Sequence, residues 1–382
     1  MNKSCLIIAG EKSGEEHALS FFSDLKEKSP DTQFYGVGGE ELKASGLELL
    51  YHLNDFSSWG YSEVITKIPF YFKAMDHIVS EVIKRQTKVA ILIDFQSFNM
   101  KLAGKLKELG VAVLYYVAPQ AWAWKEYRVK KIAATSHTLF TIIPFEKEWF
   151  KARGVERVIS IDHPLWTTYK NDLMNFKREP AISSQLKLLL LPGSRKFEVE
   201  GLLPTFIASI KELKKELEIE VSIVKSSSVP EEIYAPFNEF FDVVYTNENL
   251  VDALKKADFS FAASGTVTLT CALYGVPTIV CYKGSLLNQF IFETFVNYSW
   301  YISLANIVHN HSVFPELLQD HVSAYNIVSN FKKWYYNKED FIKVREQLEQ
   351  TKSLVQGEAI SIPGYMADVI KTAYAKTVDT SL

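Results

Sequence analysis

Residues 186–200 read LKLLLLPGSRKFEVE. Leu186–Leu191 is apolar apart from Lys187 and has the length and continuity of a strand buried on both faces. Pro192, Gly193 and Ser194 end that strand and turn the chain. Arg195, Glu198 and Glu200 follow, then an apolar-periodic segment from Leu202 to Leu217. Pro204 suits only a first helical turn, which puts the expected helix start near Leu202. An Arg and several backbone N–H groups therefore occupy a strand-to-helix loop at the carboxyl end of a parallel strand. Open α/β sheets bind ligands at that end, and helix N-termini favour anions. Gly193, Ser194, Arg195 and Glu198 read as half of a nucleotide-diphosphate site.

The same alternation runs through the chain on either side. Before it come strands at Cys5–Ala9, Gln33–Val37, Val89–Ile93, Ala112–Val117 and Thr138–Ile143. Between them lie helical patterns at Glu15–Glu27, Glu40–Ser45, Ile68–Arg85, Met100–Leu109 and Val129–Ala134. After it come strands at Glu220–Lys225, Asp242–Tyr245, Phe259–Ala262 and Thr278–Tyr282, with helices at Glu231–Phe240, Asn249–Lys256 and Thr266–Tyr274. This βαβ series predicts two doubly wound, Rossmann-like domains with a ligand cleft at their seam. The expected division is 1–165 and 185–338, with Asp162–Ser184 as a polar linker. Residues 339–382 should add two helical stretches around Gly357, the second starting at Pro363.

At 382 residues the chain is too long for one ordinary core, which agrees with two domains. Hydrophobic residues make up 47% and mean hydropathy is −0.02, as in ordinary folded proteins. A net charge of −3 gives no basic field, so no nucleic-acid partner is expected. Cys5, Cys271 and Cys281 are scattered, without disulfide or metal spacing, as in a reducing compartment. The apolar run Cys5–Ala9 is too short for a signal-peptide core, and no window holds 18 uninterrupted apolar residues. A cytoplasmic protein is expected. Aromatic content reaches 13%, concentrated at 65–72 (ITKIPFYF) and 285–302 (SLLNQFIFETFVNYSWYI). Each cluster is either core packing or an apolar surface for lipid.

Other strand ends carry polar groups. Gly10, Ser13, Gly14 and Glu15 follow the first strand; the small residues let a ligand approach the backbone, and Ser13 can cap the helix. The loop matches neither GxGxxG nor a P-loop, and an ordinary tight turn is the competing reading. Asp94 ends the Val89–Ile93 strand. There a carboxylate could take a proton from an attacking hydroxyl, or merely cap a helix. Gln120 and Trp124, with Trp122, lie in VAPQAWAW (117–124), suited to stacking on a sugar or base or to closing a core. Arg128, Lys130 and Lys131 open the next helix, either at a site or on a solvated face. Ser264, Gly265 and Thr266 repeat the strand–turn–helix logic, and with 192–195 would bracket a pyrophosphate. His163, His309 and His311 have no Cys or carboxylate at ligand spacing, so neither metal nor cofactor is expected. No Gly-x-Ser-x-Gly nucleophile motif occurs.

Ten ordered segments together resemble the lipid A disaccharide synthase family. They are AGEKSGE (9–15), GVGG (36–39), WGYSEV (59–64), LIDFQSFN (92–99), YVAPQAWAW (116–124), PFEKEWF (144–150), LLPGSRKFEVE (190–200), ASGTVTL (263–269), YISLAN (301–306) and PELLQD (315–320). The resemblance implies a GT-B fold and an inverting glycosyltransferase that needs no metal. The donor would be UDP-2,3-diacylglucosamine and the acceptor 2,3-diacylglucosamine 1-phosphate. The products would be a β-1,6-linked disaccharide 1-phosphate and UDP, made at the cytoplasmic face of the inner membrane. By position, Asp94 is the implied general base and Arg195 the group that neutralises departing UDP. Asn306 and the 264–266 loop would hold the nucleotide, and exchanged C-terminal helices would build a homodimer. Two other readings use the same loops: a UDP-N-acetylglucosamine 2-epimerase-like enzyme, and a catalytically silent nucleotide or lipid binder.

The chain departs from the family pattern at four places. Glu15 stands for the usual Asp, Asp162 for Gly and Ser97 for an acidic residue. Thr270 replaces the Glu of SGTATLE, an implied ribose ligand. A hydroxyl accepts less strongly than a carboxylate, so weaker UDP binding or a different nucleotide contact is expected.

Overall fold

The computed structural model describes residues 3–56, 61–124, 126–178, 185–284 and 301–375, with backbone alone for 61–66 and 124. The aromatic segment 285–300 lies outside the described residues. The chain divides into two compact units: Met1–Pro164 with Gly357–Leu382, and Leu165–Gln356.

The first unit holds a seven-stranded parallel sheet. Its strands are β1 (Lys3–Ala9), β2 (Thr32–Gly38), β3 (Glu48–His52), β4 (Val89–Ile93), β5 (Ala112–Tyr116), β6 (Thr138–Thr141) and β7 (Val158–Ser160). They lie in the order β3-β2-β1-β4-β5-β6-β7. Strand pleating sends alternate β1 residues to opposite faces. Leu6 and Ile8 enter the cluster formed with Ala74, Ile78 and Val82, while Cys5, Ile7 and Ala9 meet Phe22, Met366 and Ile370 on the other side. Because both faces are covered, β1 reads as an unbroken apolar run. The helix Ile362–Ala375 thus folds back on its own chain, and its Tyr374 hydroxyl donates to the Ser4 carbonyl at 2.8 Å.

The second unit holds six parallel strands: β8 (Leu186–Leu191), β9 (Ile219–Lys225), β10 (Val243–Thr246), β11 (Phe259–Ala263), β12 (Thr278–Tyr282) and β13 (Glu316–Leu318). The order is β10-β9-β8-β11-β12-β13. Strand order reverses beside β8, so the loops after β8 and β11 emerge next to each other, the Leu191–Ala262 register setting them side by side.

Several sequence expectations need correction. The segment read as a linker contains the helix Pro164–Asn175, inconspicuous because it buries only Trp166 and Leu173. The helix after β8 starts at Lys196, not Leu202, and Pro204 lies inside it. The capping box of Arg195 and Glu198 fixes that start, and the helix tolerates the one N–H that Pro204 lacks. His309 ends the helix Leu304–His309 and is buried. β3, β7, β13 and the helices Glu146–Lys151, Leu304–His309 and Ala324–Tyr336 had no counterpart in the sequence reading.

Candidate functional site

In the first unit, β1, β4 and β5 are neighbours, so the loops that leave their carboxyl ends are neighbours too. Asp94 and Phe95 follow β4 with φ of 45° and 42°, and Val117 follows β5 with φ of 66°. Non-glycine residues avoid this region, a β-branched one most of all, at about 1–3 kcal/mol each. The surroundings hold them there. The Asp94 N–H donates to the Tyr116 carbonyl at 2.9 Å. The Asp94 carbonyl accepts from Asn99 Nδ2 at 3.0 Å and from the Tyr115 hydroxyl at 3.2 Å. Strain confined to adjacent strand ends, and braced from behind, marks a site where geometry matters more than local comfort.

Burial pushes the Asp94 carboxyl above the ordinary Asp range, opposed only by the Phe95 N–H. That is the direction a general base needs. The helix following it is capped by Phe95, so Asp94 is not its N-cap. Glu11, which the sequence reading passed over, is near enough for the charge of Asp94 to act on it. Loss of solvation first, and that charge second, push its carboxyl up. A signal for it existed: two carboxylates, each one or two residues past the end of adjacent buried strands.

The rest of the first loop is structural. A side chain at Gly10 would meet the Phe95 ring at 2.8 Å, so the glycine there makes room for Phe95 rather than for a ligand. Ser13 does not cap the helix Lys12–Lys28, whose N-cap is Glu11; Ser13 is exposed in the first turn. Gly14 is buried against Ala9 and the Ile93 carbonyl. Glu15 points inward and accepts the Leu42 N–H at 3.1 Å and Lys12 Nζ at 3.0 Å. Burial opposes its charge, but those donors and the Gly39 N–H hold its carboxyl below the usual range. Gln120 is exposed, whereas Trp122 is buried edge-on to Phe145 at 5.1 Å, so it closes the core instead of stacking on a ligand. Trp124 ends the short helix Ala121–Trp124, and its side chain lies outside the described residues. Arg128 donates to Gln96 Oε1 at 3.1 Å, tying the 128–135 helix to the Asp94 loop. Beside Glu11 and Phe95 opens an apolar cavity of about 270 Å³, walled by Ile68, Tyr71, Phe72 and Met75 and edged by Ser97 and Lys101.

In the second unit the loop after β8 is not a free ring of N–H donors. The Glu198 carboxylate accepts the N–H of Ser194 at 3.0 Å and of Arg195 at 3.2 Å, filling the helix N-terminus from within. Gly193 has φ of 115°, and any side chain there would lie 2.4 Å from Glu198 Oε2, which accounts for the glycine. The Arg195 side chain is exposed and shares only one Nη1 donor with Glu198, at 3.2 Å. After β11, Gly265 has φ of 141° and is the N-cap of the helix Thr266–Leu273, with no side chain capping it. Gly265 and Thr266 are exposed, so that end, rather than the one after β8, presents open N–H groups to an anion. Ser264 donates its hydroxyl to the Ile302 carbonyl at 3.0 Å, leaving an oxygen that can accept.

Two expected nucleotide contacts are elsewhere. Asn306 is fully enclosed: its amide donates to the Phe314 carbonyl and Glu316 Oε1, both at 2.8 Å, and its oxygen accepts the N–H of Val313 and Phe314, both at 2.9 Å. Both donors and both acceptor positions are used, so Asn306 shapes the loop without offering its side chain. Thr270 is 2% exposed and presents no open surface to a ribose.

Paired parallel sheets of seven and six strands, with candidate groups on the loops at their carboxyl ends, define a GT-B-type α/β protein. Solved structures agree on the fold. A putative UDP-N-acetylglucosamine 2-epimerase from Listeria monocytogenes superposes with a TM-score of 0.58 at 11% identity, covering 99% of this chain and 97% of that one. The calicheamicin glycosyltransferase CalG4 gives 0.57 at 12%, covering 99% of each. The chain belongs to the lipid-A-disaccharide synthetase family, whose model matches residues 5–370. It is 30% identical over 377 residues to a lipid-A-disaccharide synthase of Nitrosococcus oceani, covering 92% of this chain and 96% of the relative. It is 32% identical over 342 residues to that of Myxococcus xanthus, covering 86% and 87%. The protein is accordingly a glycosyltransferase.

Proposed function

We propose that this enzyme transfers 2,3-diacylglucosamine from UDP to the 6-hydroxyl of 2,3-diacylglucosamine 1-phosphate. Asp94 takes the hydroxyl proton as the oxygen attacks the anomeric carbon of the donor. The carbon–oxygen bond to UDP breaks on the opposite face, its electron pair leaves with the β-phosphate, and configuration inverts to a β-1,6 linkage. Arg195 neutralises the charge that builds on the leaving diphosphate, an electrostatic role suited to a guanidinium. The observation that carries the reading is Asp94: a desolvated carboxylate on a strained, braced turn at a strand's carboxyl end, followed by Phe95, which lines an apolar cavity.

In this reading the first unit takes the acceptor and faces lipid, and the second takes the UDP-sugar at Ser264, Gly265, Thr266 and Arg195. No described helix is long and apolar enough to cross a membrane. Peripheral contact with the inner membrane is supported by Ile68 and Phe72, 44% and 53% exposed beside the cavity, with Lys101 Nζ 5.5 Å from the Phe72 ring. A homodimer formed by exchange would take the Met366 and Ile370 contacts from a second chain. The experiment is direct: purified protein, UDP-2,3-diacylglucosamine and 2,3-diacylglucosamine 1-phosphate, with products resolved by thin-layer chromatography. Disaccharide 1-phosphate with stoichiometric UDP is expected. Donor binding with no disaccharide would replace this reading with that of a silent binder.

A further inference from the structure

Glu146 is 1% exposed, no cation among the described residues forms an ion pair with it, and it takes no part in the transfer described above. Its Oε1 accepts Trp122 Nε1–H at 2.8 Å, and its Oε2 accepts the Ile143 N–H at 3.2 Å. Trp122 is 6% exposed and belongs to the loop between β5 and the 128–135 helix. That loop starts at the strained Val117 and carries the exposed Gln120. Two hydrogen bonds fix its start. The Ala118 N–H donates to the Phe140 carbonyl at 2.9 Å, and the bond from Asp94 N–H to Tyr116 sits just before the loop. A strained turn relaxes unless its surroundings over-determine it. Beyond Ala118 the loop is anchored at Trp122, whose ring packs edge-on to Phe145 and whose indole N–H reaches a buried carboxylate.

We infer that Glu146 is a positioning residue for glycosyl transfer: through Trp122 it holds the 117–124 loop, and with it Gln120, in register with Asp94. The inference rests on the transfer reaction proposed above. Gln120 is placed to meet the acceptor, because its loop leaves the strand next to the one that carries Asp94. A side chain buried this deeply has another simple role, which is packing. A carboxylate is nevertheless a poor choice for packing, since burial pushes it up to about 7 against the pull of its N–H donors. Glutamine or an apolar residue would fill the same space at lower cost.

The test uses the full-length enzyme and two single variants, Glu146→Leu and Trp122→Phe, with their double mutant. Each single variant should lower kcat/KM for the acceptor by about tenfold to a hundredfold, the usual consequence of small misplacement near a reacting group. KM for the UDP-sugar should stay within about twofold. The double mutant should be no worse than the weaker single variant, because both remove one interaction. Amide hydrogen exchange should accelerate across 117–124 in both variants, and this readout does not depend on turnover. Should Glu146→Leu fail to fold, Trp122→Phe decides alone. Wild-type acceptor kinetics in the variants, losses that add in the double mutant, or unchanged exchange in the loop would each overturn the inference. An inactive wild type would remove the transfer reaction instead, and the exchange experiment would still decide whether Glu146 holds the loop.

Discussion

Glu198 holds Arg195 twice: Oε2 accepts the Arg195 backbone N–H at 3.2 Å, and Oε1 accepts its Nη1 donor at 3.2 Å. The first bond starts a helix, and the second restrains an exposed side chain. The two residues should therefore separate in their effects. Arg195→Ala keeps every backbone donor that Glu198 uses, so the melting temperature should change little while turnover falls by orders of magnitude. Glu198→Ala removes the acceptor from the helix N-terminus and should cost about 1 kcal/mol of stability. It also frees Arg195, so activity should fall less than in Arg195→Ala. Thermal melts and initial rates on both variants check this. Near-normal turnover in Arg195→Ala would remove the leaving-group role.

Asp94 trades stability for chemistry, and the sign can be worked out. Its folded carboxyl lies above the unfolded value, so the folded state holds more protons between the two and stability falls as pH rises through that window. Asp94→Asn cannot ionise, and Asn tolerates positive φ comparatively well. It should melt higher than the wild type at pH 7–8, with the difference shrinking toward pH 4 as Asp94 protonates. Its turnover should drop by about 10²–10⁴-fold, as expected for loss of a general base. A variant that melts lower at neutral pH, or retains turnover, contradicts the assignment.

Glu11 provides an independent check on that carboxylate. Removing the Asp94 charge should let the Glu11 carboxyl fall back toward the ordinary range, because like charges disfavour ionisation. Glu11 should titrate at lower pH in Asp94→Asn than in the wild type. Carboxyl NMR titration measures it, and an unmoved Glu11 would mean that the two carboxylates are not coupled.

What was legible in the sequence was what burial on two faces writes into it. Val89–Ile93, Leu186–Leu191 and Thr278–Tyr282 were read to the residue, since each is a short apolar run closed by a turn. β3 is half-exposed along most of its length and β7 has three residues, so neither leaves such a trace. Pro204 marks no helix start because the capping box of Arg195 and Glu198 begins the helix at Lys196, a contact that residue types alone do not reveal. The site was legible as a set of loops but not as a set of contacts. Glu15, Glu198 and Asn306 are polar residues in loop motifs, and sequence cannot tell a side chain that meets a ligand from one that satisfies its own backbone. In all three the hydrogen bonds point inward.

Asn306 follows from that distinction. Asn306→Ala would leave the buried N–H groups of Val313 and Phe314 without acceptors, at about 1–3 kcal/mol each. A loss of about 2–5 kcal/mol in unfolding free energy is expected, with UDP affinity falling because the 301–306 segment that anchors Ser264 shifts. Asn306→Asp keeps an acceptor but cannot donate to Phe314 and places a charge beside Glu316, so it should be no better than Ala. Denaturant titration with UDP calorimetry checks both variants. A stable Asn306→Ala that merely loses UDP would restore the direct contact.

Acid should unfold the protein through its histidines before its carboxylates. Burial lowers His17, His163 and His309 to about 4, and the His17 charge presses further on His163. In the unfolded chain each titrates near the ordinary histidine value of 6.5. Between those limits the unfolded state binds more protons, so the stability present above pH 6.5 is lost as pH falls toward 4. Each group contributes at most about 3 kcal/mol over that window. His17→Phe keeps a ring against Tyr116, which His17 meets edge-on at 5.9 Å, and removes the proton site. Its unfolding free energy should fall less steeply between pH 6.5 and 4 than that of the wild type, and His163 should become easier to protonate. Equal slopes in the two proteins would show that His17 is solvated when charged, and would take the pair out of the acid response.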